Sequence, residues 1–106
     1  MDITDIQNRI HGFQQKRASE IGTNLTLDLV FMHLAEEVGE IARQIINKNH
    51  LSFRGYDEQN LKEEVVQALL DLLLISKISD IDLPTEIDKK IREMEKRRPR
   101  NSVSDY

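Results

Sequence analysis

Between Ala68 and Ile78 the chain is apolar almost all round a helix, and the exception at its heart is Asp71, in Ala68-Leu69-Leu70-Asp71-Leu72-Leu73-Leu74-Ile75. The run is far short of the ~20 residues that cross a bilayer, so its apolar surface must be covered by protein. It belongs at the centre of a bundle or in a subunit interface. An isolated carboxylate in such surroundings is costly or takes up a proton, so an ionised Asp71 needs a cation or a hydrogen-bond partner.

The rest of the chain supplies three more helical segments. Ile3, Ile6, Ile10 and Phe13 form one stripe at 3-4-3 spacing, with Asp2 or Thr4 as N-cap and a break at Ile21-Gly22-Thr23-Asn24. After Thr26, an acceptable N-cap, Leu27, Val30, Phe31, Leu34, Val38, Ile41 and Ile45 hold a helical period to about Lys48. Residues 50–56 read as a loop around Gly55. The central apolar run closes a third segment that begins at about Asp57, a possible N-cap, and reaches Ser79. Pro84 in a first turn, with Asp82 as cap, opens a fourth whose inner face is Ile87, Ile91 and Met94. Pro99 stops it.

The spacing therefore predicts an all-α fold, a four-helix bundle-like single domain over residues 1–98, with a basic and polar tail over 99–106. At 106 residues the chain allows one domain. A domain of this size leaves much surface uncovered, so a second copy should complete the core, as a homodimer or a pair of dimers. With no cysteine, disulfides and Cys-based zinc sites are excluded. No secretory signal is visible at the start and no segment is a membrane span, which gives a cytoplasmic, soluble protein as the expectation. Seven of the 15 basic residues lie between Lys89 and Arg100, yet the net charge is −4 and there are only five aromatics, which argues against nucleic acid.

The chemistry-bearing residues are acidic. In Glu36-Glu37-Val38-Gly39-Glu40, Glu37 and Glu40 lie within roughly 60° of each other at the edge of the apolar stripe, and His33 is one turn before Glu37. Glu36 lies further towards solvent. On the third segment Glu64, Gln67 and Asp71 form one polar line. Two helices that each bring inward carboxylates make a hard, oxygen-rich site suited to Mg²⁺ or Mn²⁺ rather than zinc. The plain alternative is a solvated acidic face, with Glu64 paired to a lysine and Asp71 a core carboxylate bonded to His33 or to an arginine. There is no Gly-rich phosphate loop and no evident nucleophile arrangement.

The stretch HLAEEVGEIARQI, followed by Lys62-Glu63-Glu64 opening an apolar helix and by an Ile81-Asp82-Leu83 turn, resembles the all-α NTP pyrophosphatases. That superfamily holds MazG-like proteins, dimeric dUTPases and phosphoribosyl-ATP pyrophosphatases, and the resemblance runs from about Ile6 to Pro99. It implies Mg²⁺-dependent hydrolysis of a nucleoside triphosphate to the monophosphate and pyrophosphate. It also implies Glu37, Glu40 and Glu64 as metal ligands, with Glu36 a nearby ligand or an orienter of water. Either Glu36 or Glu37 would accept the water's proton, and Lys90 and Arg97 match basic positions that contact phosphate. The family's ExxD would place an aspartate at position 67, where this chain has Gln67, a weaker uncharged ligand; Asp71, one turn on, is then the candidate replacement. Glu93 and Met94 also depart from the family pattern. Two rival expectations follow: a helical nucleotide- or protein-binding module that kept the fold and lost the reaction, and a phosphoribosyl-ATP pyrophosphatase.

Overall fold

A computed structural model describes residues 2–49 and 56–97, which form four α-helices and no strand: α1 Ile3–Glu20, α2 Leu27–Asn49, α3 Glu58–Ile78 and α4 Leu83–Lys96. Most of the expected loop around Gly55, together with Pro99 and the 99–106 tail, lies outside the described residues.

Each helix begins where a short polar side chain can satisfy its first free amides. Asp2 accepts from Asp5 N at 2.8 Å, Thr26 Oγ1 from Leu29 N at 3.3 Å, and Asp57 from Gln59 N and Asn60 N. Asp82 accepts from the Thr85 backbone at 3.3 Å, with Pro84 inside the first turn. Two helices end in the same hydrogen-bonded reversal. After α1, Thr23 N donates to Ala18 O and Gly22 N to Ser19 O, with Gly22 at φ +76°. After α3, Ile81 N donates to Ser76 O and Asp80 N to Lys77 O, and here the left-handed position (φ +56°) is filled by Asp80.

α3 is the central helix, packed on α2 along one side and on α1 along the other. Ala68, Leu73 and Leu74 are buried there with Val30 of α2 and Ala18 of α1. α1 is clipped to α3 by a buried polar contact: Gln7 Nε2 donates to Ser76 Oγ at 2.8 Å, and that hydroxyl donates to Leu73 O at 2.6 Å. Against α2, α3 runs antiparallel, because His33 meets Asp71 near one end while Gln44 accepts from the Asp57 backbone near the other.

Two expectations about covered surface need correction for the single chain. Ile87, Ile91 and Met94 do not face inward: α4 packs chiefly on α1, and Ile91 is 49% exposed. Leu69 and Leu72, in the run expected to be buried all round, are also more than half exposed. The reason is geometric, since only α1 and α2 pack on α3, while α4 packs on α1, which leaves one flank of α3 open. The radius of gyration, 17.0 Å, exceeds the about 13 Å of a compact chain of this length.

Candidate metal and phosphate site

The antiparallel register fixes which side chains of α2 and α3 can meet. With His33 level with Asp71, stepping one turn along both helices sets Glu37 beside Gln67, and a further turn sets Glu40 beside Glu64. The two acidic motifs thus converge on one seam, as their position at the edge of each apolar stripe requires.

Glu64 carries the clearest electrostatic signature. Its Oε2 is sealed from solvent and has no hydrogen-bond partner. Burial, then the Glu40 and Glu37 carboxylates, hold its carboxyl above the usual range; the Arg43 guanidinium opposes them, and Asp57 adds a smaller push upward. An orphaned, sealed carboxylate oxygen facing two further carboxylates is a feature that a hard divalent cation would satisfy. Glu40 is meanwhile held by Arg43, one turn on along α2.

Asp71 is 4% exposed, and both of its oxygens are engaged. Oδ2 lies 2.7 Å from His33 Nδ1, and Oδ1 accepts from Gln67 Nε2 at 3.1 Å. The histidine partner is the one anticipated for a core carboxylate; the glutamine was weighed only as a ligand. Seven residues separate Asp71 from Glu64, about 10 Å along the axis, so the two sit at different levels of the seam. His33 Nε2 in turn lies 3.6 Å from Glu37 Oε1. With Glu40 drawn to Arg43 and Asp71 occupied, no three His, Asp or Glu side chains among the described residues are gathered closely enough to hold an ion as they stand.

Glu36 is exposed on α2, adjacent to Glu37. Lys90 and Arg97 are exposed on α4 and at its end, on an element that packs on α1 and not along the α2–α3 seam. Arg43 and Gln44 escaped the sequence reading. The i,i+3 spacing of Glu40 and Arg43 was a usable signal for the first; nothing in the periodicity distinguishes Gln44 from any other polar helix residue.

The two central helices of this all-α domain thus set Glu37 and Glu40 of α2 against Glu64 of α3 along one seam. The family model for the MazG nucleotide pyrophosphohydrolase domain matches residues 25–102, and the chain belongs to that family. The match takes in α2, α3 and α4 and begins after α1, later than the resemblance from Ile6 suggested. No curated protein and no solved structure matches the chain.

Proposed function

We propose that this protein hydrolyses a nucleoside triphosphate to the monophosphate and pyrophosphate with Mg²⁺ or Mn²⁺ bound between α2 and α3. The observation that carries the reading is Glu64, a family-motif residue whose sealed oxygen has no partner and whose carboxyl is pushed above its usual range by burial and by Glu40 and Glu37. Glu37, Glu40 and Glu64 are the ligands in this proposal, and a cation competes with Arg43 for Glu40. Gln67 offers an uncharged oxygen beside them. Asp71 joins the set only by releasing His33 or Gln67.

When bound, the cation supplies charge neutralisation at the phosphates and a more acidic water. Glu36, exposed beside Glu37, or Glu37 itself would accept the proton of the attacking water. Lys90 and Arg97 enter as phosphate contacts, brought to the seam across an oligomer because α4 of the same chain packs elsewhere. That oligomer, a homodimer or pair of dimers, is part of the proposal. It is supported by the uncovered Leu69 and Leu72 on α3 and the apolar stripe of α4, surfaces that a monomer rarely leaves bare. No described helix is long and apolar enough to cross a membrane. A cytoplasmic location is part of the proposal.

One further reading has a specific observation in its favour. With Gln67 uncharged and Asp71 committed, the seam carries less free charge than the family pattern, which suits a nucleotide-binding module without turnover. A panel of canonical and damaged (d)NTPs, each with Mg²⁺ or Mn²⁺, decides by product. Pyrophosphate with the monophosphate supports the hydrolase. Orthophosphate as sole product refutes it, and saturable nucleotide binding without turnover establishes the second reading. Phosphoribosyl-ATP belongs in the same panel.

A further inference from the structure

His33 is held in a way the proposed reaction does not yet use. A carboxylate only accepts hydrogen bonds, so Asp71 Oδ2 at 2.7 Å requires a proton on His33 Nδ1. In the neutral ring that assigns the Nδ1–H tautomer and leaves Nε2 with a bare lone pair. Nε2 faces Glu37 Oε1 at 3.6 Å, too far for a hydrogen bond, so in that tautomer two electron-pair donors face each other across a gap. A cation fits between them. Two donors each ~2.1 Å from one ion stand about 3 to 3.6 Å apart, which is the spacing seen.

The surroundings match this arrangement. A histidine that ligates a metal generally donates its other ring N–H to a carboxylate, which fixes tautomer and orientation. Asp71 does this here from a buried position, while the His33 ring is half exposed and open to an ion. Gln67 Nε2 ties up the second Asp71 oxygen, which turns the amide oxygen of Gln67 away from Asp71. Asp71 thus orients two side chains that flank the seam beside Glu37, His33 from α2 and Gln67 from α3.

We propose that His33 Nε2 is a nitrogen ligand, beside Glu37, of the divalent cation in the α2–α3 seam, with Asp71 as its positioning residue. The site therefore prefers Mn²⁺ or a later first-row ion to Mg²⁺, because Mg²⁺ strongly favours oxygen donors and imidazole suits transition ions. The inference rests on the metal-binding part of the proposed function.

Pulsed electron paramagnetic resonance of Mn²⁺ bound to the full chain reads the ligand directly. The wild type is expected to show ¹⁴N modulation from one imidazole, which His33→Gln removes while weakening Mn²⁺ at least tenfold. Mg²⁺ affinity, read by competition, should change much less. Asp71→Asn should keep the ¹⁴N signal and weaken Mn²⁺ about 10- to 100-fold, the usual effect of removing an orienting carboxylate. Mn²⁺ bound to the wild type with no ¹⁴N coupling overturns this inference and leaves the carboxylate site standing, as does a coupling that survives in His33→Gln. No Mn²⁺ binding at all overturns both. The wild-type spectrum decides even where a variant fails to fold.

Discussion

Removing the Ser76 hydroxyl tests whether α1 is fastened to α3 by a single buried contact. Gln7 and Ser76 are each 4% exposed, and the hydroxyl both receives the Gln7 amide and donates to Leu73 O. In Ser76→Ala the helix keeps its own backbone bonds, so the loss is the hydroxyl's bond to Leu73 O, about 1 kcal/mol net, plus the stranding of the buried Gln7 amide donor, about 1–3 kcal/mol. The expected destabilisation is about 2–4 kcal/mol. Because the cost lies mainly in the stranded donor, Gln7→Leu combined with Ser76→Ala should recover most of it. Urea denaturation of the wild type, Ser76→Ala, Gln7→Leu and the double variant at one fixed protein concentration gives the coupling; the concentration is held because oligomers gain stability with it. A Ser76→Ala loss below about 0.5 kcal/mol, or a double variant no better than Ser76→Ala, refutes the argument.

Glu64→Gln removes the carboxyl that burial and its neighbours disfavour, so metal-free protein should melt higher near neutral pH while Mg²⁺ and Mn²⁺ bind more weakly, read by calorimetry. The pH dependence has a definite sign. Glu64 keeps its proton in the folded state above 4.5, where the unfolded chain has lost it, so metal-free stability falls as pH rises from that value to the raised one. Glu64→Gln should flatten that slope in the wild-type comparison, and an unchanged slope counts against the assignment. Asp80→Gly should stabilise by about 0.5–1 kcal/mol, since glycine relieves the positive φ at the α3 terminus and removes an anion from the helix's negative end. Ile91→Glu, on the uncovered face of α4, should shift sedimentation from oligomer to monomer with the helix content of each chain kept.

Helix boundaries were legible because they are decided locally. Asp2, Thr26, Asp57 and Asp82 cap helices within three residues of themselves, and no distant contact is needed to read them. The convergence of Glu37 and Glu40 with Glu64 was also legible, since helical angle places each at the edge of an apolar stripe. What Asp71 bonds was not decidable from its own helix. Its choice between a cation, His33 and Gln67 depends on the vertical register of α2 against α3, which no spacing within either helix encodes. The face of α4 shows the complementary limit. Periodicity announced that Ile87, Ile91 and Met94 share a side, but a period carries no information on which surface covers it.

The register of α2 against α3 is held within the helices themselves, by Gln44 on the Asp57 backbone at 2.8 Å and His33 on Asp71 at 2.7 Å, one beyond each end of the carboxylate levels. Lys48 reinforces the first of these joints, its Nζ lying 5.6 Å from the centre of the Tyr56 ring. Pinned twice, the two helices cannot slide past each other by a turn without breaking both joints. A spectroscopic label on the solvent side of either helix would therefore report any loss of step in the carboxylate seam.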